Sequence, residues 1–385
     1  MASITKRPDG RWRARYRDEA GKEHAKHFDR KVDGQRWLDE TTAAVVTGQY
    51  VDPRAGRVTF KEYALGWQES HIGREGTARI VDNALRVHIL PALGHMPIAS
   101  LRRSDVQALV KTLNGTLAPG SVRNVYDVLS RVLSAAVEDR VLGRSPCSRI
   151  TLPVLTAAEV VPPSAKDVSA LSSAVAGRYR ALVVLLAGSG LRIGEALGLT
   201  IADVDFLRRT VRVERQRLQD GTIGPTKTPK STRTVPLGQV VIDELAAHLA
   251  KYVSDDALFT TERGTALTYR QWKRVWREAL VGAQLSADEL ALRGSADIAA
   301  GRRVGAGEPM SYTTHDLRHF TASALISGGA SVKQVQTVLG HSSAAITLRV
   351  YSHLWPGDDD RTRSVMDAAL DPLADQVRTE RASHG

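Results

Sequence analysis

The chain has 385 residues, 42% of them hydrophobic and 25% charged, enough to bury ample core in two or three domains. Lysine and arginine number 53 against 42 aspartates and glutamates, and the formal charge of +11 directs attention to a polyanionic partner, nucleic acid foremost. One cysteine, Cys147, excludes an intramolecular disulfide and a cysteine zinc cluster, and the longest apolar run, Ala181 to Ala187, is too short to cross a bilayer. The opening MASITKRPDG is basic with no apolar run behind it, so a soluble intracellular protein is expected.

Residues 1–54 read as a small separate module. RWRARYR alternates at period two, DEAGK reads as a turn, and EHAKHF alternates again. A β-hairpin is expected, with Arg11, Arg13, Arg15 and Arg17 on one face and Trp12, Ala14 and Tyr16 on the other. A helix beginning near Lys31, carrying Trp37 and Leu38, can cover the apolar face. Arginines sorted onto one side suit a β-ribbon presented to a DNA groove; a solvated basic strand is the plainer alternative. His24 and His27 have no carboxylate or cysteine at ligand spacing, so no metal is expected there.

VDPRAGR, residues 51–57, has the composition of a linker, and a helical domain follows over 58–151. Phe60, Tyr63, Ala64 and Trp67 recur at helical spacing. Ser104 with Gln107 suggests a capping box ahead of Val106, Leu109, Val110 and Leu113. Val122, Val125, Tyr126, Leu129, Val132, Leu133, Ala136 and Val137 form one long stripe, read as core, with Arg123, Arg131 and Arg140 outside it. Those arginines and Lys111 can clamp a duplex backbone or simply form a solvated face. A second linker, roughly Leu152 to Ser164, contains Pro162 and Pro163.

Helical patterns resume at Lys166. YRALVVLLAGSGLRIGEALGL reads as a buried helix broken by Gly188 and Gly190, with a second helix starting at Arg192. Leu191, Ile193 and Leu197 can anchor that segment while Glu195, one turn on, orients Arg192; a surface ion pair is the alternative. Between Val204 and Leu237 the period becomes two: Val211 and Val213 alternate, Asp220 and Gly221 mark a turn, and TRTVPL closes a small antiparallel sheet. Lys227 and Lys230 fall on its hairpin, where a lysine can reach a leaving oxygen or stay solvated. Helices are expected around His248, Trp272 and Trp276, and an extra helix and loop over 285–310.

The stretch from His315 to Tyr351 concentrates the chemistry. His315 and Arg318 are three apart in HDLRHF and share a helical face that can converge on one anion, with Thr314 as the expected N-cap. His341 in LGHSS and Tyr351 in RVYSH follow ten residues apart. His315 and His319 also have zinc-ligand spacing, but Arg318 between them would repel a cation, so His319 is expected to pack or to bond backbone. On spacing alone Tyr351 could be an ordinary core tyrosine.

In order, Arg192 in GLRIGEAL, Lys227 in PTKTPKSTRTVPL (Lys230 being its alternative), His315 and Arg318 in HDLRHF, His341 in LGHSS and Tyr351 in RVYSH form a set that resembles the active site of the tyrosine recombinases, or phage-type integrases. The resemblance implies a multidomain, mainly α protein. It has a β-hairpin/sheet-plus-helix module binding arm-type DNA sites (1–54), a helical, SAM-like core-binding domain (58–151) and a mainly α catalytic domain with a small antiparallel β-sheet (165–356). A tail (357–385) follows, in which Val365, Met366, Ala369 and Leu370 suggest an amphipathic helix that docks on a neighbouring protomer or on its own domain.

The implied reaction is site-specific recombination that integrates or excises a phage or mobile element. Tyr351 attacks the scissile phosphate to give a 3′-phosphotyrosine and a free 5′-hydroxyl. Arg192 and Arg318 hold the non-bridging oxygens, Lys227 protonates the leaving oxygen, His315 assists proton transfer at the tyrosine, His341 bonds the phosphate, and Glu195 supports the arginine. No metal or other cofactor is expected. The implied partners are double-stranded DNA at core and arm sites, three further copies in a homotetramer, and a host DNA-bending protein and directionality factor. The implied setting is the cytoplasm of a bacterial host, without a membrane. A DNA-binding regulator that kept the fold without the chemistry, a type IB topoisomerase relative and a Xer-like resolvase are the competing readings.

Overall fold

A computed structural model describes residues 2–17, 21, 23–46, 55–155, 161–226, 231–285, 304–305, 308–309, 312–355, 363–364 and 366–370. The chain divides into two compact units, Met1–Thr156 and Ala157–Gly385.

In the first unit, β1 (Ser3–Lys6), β2 (Trp12–Arg17) and β3 (Glu23–Phe28) form an antiparallel sheet in that order, so the expected hairpin has a third strand. SITK has too few apolar residues to show a period and becomes a strand by pairing with β2. Ala14 and Tyr16 are buried with Leu38 of α1 (Lys31–Val46), and Ile4, Phe28 and Trp37 pack around them. Arg15 and Arg17 lie on the open face. The pattern of alternate burial is what strand geometry demands of RWRARYR. His24 stacks on the ring of Tyr16 at 5.2 Å, and His27 Nε2 lies 3.2 Å from Arg7 Nη1.

The helical part of this unit contains α2 (Phe60–Ser70), α3 (Glu75–Asn83), which runs through a π-turn (Ala84–Ile89) into α4 (Leu90–Leu93), and then α5 (Arg103–Asn114) and α6 (Pro119–Glu138). The stripe of α6 is core: Val122, Val125, Leu129, Val132, Leu133 and Ala136 are all buried, against Phe60, Leu85, Ile89 and Leu109. The cap of α5 corrects the sequence reading. Asp105 accepts the Arg102 backbone N–H at 2.8 Å, which puts Ser104 inside the first turn, and Gln107 spends both ends of its amide on the backbone of Thr151, at 2.9 and 3.0 Å. Arg103 donates to the Arg149 carbonyl and Arg123 to that of Pro153, so the chain leaving this domain is strapped to its helices. Residues 51–54 and 156–160 of the two expected linkers, and the expected turn residues 18–20, lie outside the described residues.

The second unit begins with α7 (Ala165–Ala174), capped reciprocally by Ser164 and Asp167, then α8 (Gly177–Ser189) and α9 (Ile193–Leu197). Strands β4 (Val204–Asp205), β5 (Thr210–Val213) and β8 (Arg233–Pro236) make one antiparallel sheet in the order β4-β5-β8, and β6 (Arg215–Arg217) with β7 (Ile223–Pro225) makes a second. Helices α10 (Gln239–Lys251), α11 (Tyr269–Gly282), α12 (Asp316–Ser327), α13 (Val332–Leu339) and α14 (Ala344–Tyr351) complete it. Helix α8 is central: Leu182, Val183, Leu185 and Leu186 are buried in turn, which is why its sequence is apolar on every face.

Gly188 does not break α8, as its sequence suggested; it sits inside the helix, where an added Cβ would collide with Val241 of α10. Val304–Gly305 pairs with Glu308–Pro309, while 286–303 of the expected extra helix lie outside the described residues. In the tail, 363–364 and 366–370 are helical with Met366 and Leu370 about half exposed, and Val365 lies outside the described residues. Among the described residues no helix is long and apolar enough to cross a membrane.

Candidate active site

The end of α8 sets the geometry. Gly190 closes the helix in the left-handed conformation, φ 65°, and its carbonyl turns toward α12, where it accepts Arg318 Nη1–H at 2.6 Å. The next turn places Arg192 at the N-cap of α9. Glu195 accepts the Arg192 backbone N–H at 3.0 Å and its Nη1–H at 2.8 Å, so one carboxylate both caps the helix and aims the guanidinium. Arg192 keeps about 29% of its side chain exposed, whereas Glu195 is buried.

Arg233, on β8, supplies the second half of this pairing. Its Nη2–H reaches Glu195 Oε2 at 2.9 Å, its Nη1–H the Ser231 carbonyl at 2.9 Å and its Nε–H the Val338 carbonyl at 2.8 Å. One buried guanidinium thereby joins Ser231, α9 and the end of α13. Gly340, with φ 64°, lets it in, since a Cβ there would lie 2.9 Å from Arg233 Nη1. Burial pushes the Glu195 carboxyl up, but Arg233 and Arg192 outweigh it and hold the group below the usual carboxylate range. The sequence carried a signal for Arg233: it is two residues from the buried Val235 in a strand and so on the same face.

Helix α12 starts one residue later than the sequence suggested. His315 occupies the N-cap position, Asp316 accepts from the N–H and hydroxyl of Thr313, and Thr314, expected as the cap, instead accepts Trp272 Nε1–H at 3.0 Å. Trp276 Nε1–H donates to the Tyr312 carbonyl, so two indoles of α11 fix the approach to α12. Arg318 is 2% exposed, and besides Gly190 it holds the Leu339 carbonyl at 2.5 Å. It clamps the ends of α8 and α13 together. Burial and then the neighbouring Arg192 pull its guanidinium down to about 9.

Tyr351 ends α14 with its side chain buried, 1% exposed. Its Oη lies 2.7 Å from His319 Nδ1, and the His341 ring stacks nearly parallel to the phenol ring at 6.4 Å. His341 is held by its Nδ1 to Thr347 Oγ1 at 2.9 Å, and its carbonyl accepts Gln336 Nε2–H. His315 stands edge-on to His319 at 5.1 Å. Burial pushes Tyr351 up to about 12, against the pull of Arg318. Burial, then Arg318, Arg192 and Arg233, bring His341 down to about 4, so its ring is neutral at pH 7.

Arg192, Glu195, His315, Arg318, His341 and Tyr351 are thus brought together, joined by two residues the sequence reading did not assign, Arg233 and His319. His319 was expected to pack or bond backbone; it contacts the tyrosine hydroxyl instead. Lys227 and Lys230 lie outside the described residues, but Thr226 and Ser231, which bracket them, are buried. Such a cluster can neutralise an anion and offers a hydroxyl as nucleophile.

Five of the seven residues read as DNA contacts have partners within the chain. Arg11 pairs with Asp29 at 3.0 Å, Arg13 with Glu23 at 3.3 Å, and Arg15 with Glu23 at 3.7 Å and Ser3 Oγ at 2.8 Å, while Arg17 is exposed. Lys111 is exposed. Arg123 is half-buried on the Pro153 carbonyl, and Arg131 lies 5.4 Å over the Trp67 ring with Nη2 2.7 Å from His71 Nε2, so both are engaged in packing.

Residues 164–356 match the phage integrase family, residues 60–152 the phage integrase central domain, and residues 2–47 the phage integrase N-terminal domain. An integrase of Mycobacterium phage D29 is 26% identical over 369 residues, covering 89% of this chain and 90% of its own. Among solved structures, the Tn1549 transposon integrase in complex with a circular intermediate DNA superposes with a TM-score of 0.64 at 21% identity, over 81% of this chain and 99% of that one. A lambda integrase tetramer bound to a Holliday junction gives 0.57 at 17% identity, over 89% and 96%. At these identities the two structures show a shared fold.

Proposed function

The chain belongs to the phage integrase family of tyrosine recombinases and is a site-specific recombinase of a phage or mobile element, and from that premise we propose how its residues cut and rejoin DNA. Tyr351 attacks the scissile phosphate, forming a 3′-phosphotyrosine bond and releasing a 5′-hydroxyl. Arg192 and Arg318 neutralise the non-bridging oxygens, with Glu195 and Arg233 holding Arg192 in place. His341, neutral at pH 7, donates a ring N–H to a phosphate oxygen. Lys227, in the segment bracketed by the buried Thr226 and Ser231, protonates the leaving oxygen, and His315 assists proton transfer at the tyrosine. Attack by a different strand's 5′-hydroxyl reverses the step and rejoins the DNA, so the bond energy is conserved without a nucleotide cofactor.

One observation carries this reading: His319 of α12 and His341 of the loop after α13 converge on a buried tyrosine through a hydrogen bond and a ring contact, with the Arg318 and Arg192 guanidiniums close enough to act on the His341 ring. A regulator that only bound DNA would have no use for a hydroxyl placed among these cations. The support for DNA as the substrate is the net charge of +11 together with the DNA-bound relatives. In the same reading residues 1–54 bind arm-type sites through Arg11, Arg13, Arg15 and Arg17, 58–151 bind the core site, four copies assemble on DNA, and 357–385 exchange between protomers. A host DNA-bending protein and a directionality factor join that assembly, and the protein acts in the host cytoplasm.

The test is a nicked attachment site that traps the covalent complex. Wild type gives a protein–DNA adduct that survives denaturant, and Tyr351→Phe gives none; an adduct of equal yield in the Phe variant removes Tyr351 from its role.

A further inference from the structure

His319 is buried on α12 one position past Arg318, and the proposed reaction gives it no part. Its Nδ1 is 2.7 Å from Tyr351 Oη, within the reach a proton acceptor needs, and the two rings meet edge to face at 5.5 Å. The other imidazoles are placed differently. The His315 ring stands against His319 at 5.1 Å, and the His341 ring lies flat beside the phenol with its Nδ1 on Thr347. His341 is also a weak base, brought down to about 4 by burial and three arginines. A phenol held up to about 12 carries almost no phenolate at neutral pH, so attack on phosphorus needs a partner to receive the proton.

We propose that His319 is the catalytic group that takes the proton from Tyr351, a place His315 would otherwise fill. The inference rests on the recombinase reading and deepens it. As Oη bonds to phosphorus its proton passes to His319 Nδ1; the bond from phosphorus to the 5′ oxygen breaks, its electron pair leaves with that oxygen, and Lys227, the acid of the proposed reaction, supplies the proton there. In the rejoining step the imidazolium returns its proton to the departing phenolate. Asp316 completes the arrangement. Its Oδ1 is 3.9 Å from His319 Nε2, so a carboxylate faces the nitrogen that must carry the hydrogen when Nδ1 accepts, and it favours the imidazolium that forms. Asp316 is itself fixed by the N–H and hydroxyl of Thr313. Asp316, His319 and Tyr351 form a line from carboxylate through imidazole to nucleophile, two of the three members lying one turn apart on α12.

The experiment measures single-turnover adduct formation at pH 7 on the nicked substrate, for His319→Asn, His319→Gln and His315→Gln. Each variant is made with Tyr351 and with a trifluorinated tyrosine at 351, whose phenol ionises near neutral pH and needs no base. Band-shift binding of the same DNA identifies which of the two His319 variants is folded. The proposal expects the folded His319 variant to bind DNA normally, to lose about 10²–10⁴-fold in rate, and to recover about tenfold or more with the fluorinated phenol, while His315→Gln shows no such recovery. A His319 variant within about threefold of wild type overturns it, as does a loss that the fluorinated phenol leaves unchanged, which is the mark of a packing role. Recovery confined to His315→Gln overturns it in favour of that histidine. Tyr351→Phe is run alongside: an adduct there defeats the underlying reading, whereas its absence with an active His319 variant defeats only this inference.

Discussion

Replacing Arg233 with methionine tests whether the buried guanidinium organises the site. Arg233 is 5% exposed and Glu195 2%, so the variant leaves a carboxylate in the interior with one cation fewer and leaves the Ser231 and Val338 carbonyls without that donor. Removing one partner of a buried pair costs about 3–5 kcal/mol. Glu195 still has Arg192 at 2.8 Å and methionine refills the volume of the arginine stem, both of which favour the low end, while the two lost carbonyl bonds push upward. The expected loss is about 3–4 kcal/mol at pH 7.

Urea denaturation followed by fluorescence of the buried Trp272 and Trp276 reads it. The sign with pH is fixed. In wild type the carboxyl is held below its ordinary value, so its contribution is present above that value and lost as pH falls through the depressed one. In the variant, protonation of the stranded Glu195 relieves the penalty, so the difference between the two proteins shrinks under acid conditions. Glu195→Gln added to Arg233→Met recovers part of the loss in a double-mutant cycle. A cost under about 1 kcal/mol, or a double variant less stable than the sum of the singles, refutes the reasoning.

Three further outcomes follow from the same structure. His341 is brought from 6.5 to about 4, so the unfolded chain binds a proton that the folded one refuses; stability is full above pH 6.5 and falls toward pH 4 by roughly 1–2 kcal/mol after allowance for solvent screening. His341→Gln flattens that limb in urea titrations at a series of pH values, and an unchanged limb contradicts the assignment. Gly190→Ala forces a side chain into φ 65° and sets its Cβ 2.7 Å from Leu339 Cδ2, for a loss of about 1–3 kcal/mol and a weaker adduct yield through Arg318; neutrality in both refutes the clamp. Arg13→Ala with Arg15→Ala lowers the salt dependence of arm-site binding by about one slope unit per lost phosphate contact and leaves core-site cleavage intact, whereas loss of core cleavage places the sheet in the catalytic unit.

What could be read in the sequence was whatever has a short period or a local motif. The α6 stripe from Val122 to Val137, the alternation of RWRARYR and the short motifs around Arg192, Arg318, His341 and Tyr351 each show themselves in a contiguous stretch of sequence. The structure puts α6 and β2 where the first two signals point and gathers the side chains of the third near one another. What escaped depends on contacts distant in sequence. Nothing near Arg233 reveals that its partners are Glu195 and the Val338 carbonyl. HDLRHF offers His315 and Arg318 as a pair on one face, yet burial changes the emphasis: Arg318 grips two backbone carbonyls, and His319, expected to pack or bond backbone, meets the Tyr351 hydroxyl. Strand β1 and the true cap of α5 were missed because pairing and a carboxylate three residues on, rather than local propensity, decide them.

In the proposed reaction Tyr351 becomes joined to DNA. Trapping wild type on the nicked site, digesting protein and DNA, and sequencing the cross-linked peptide by mass spectrometry reads the attachment directly. One nucleotidyl-modified peptide is expected, RVYSH with its flanks, carrying the phosphate on Tyr351. A modification on any other tyrosine, or on a serine, contradicts it.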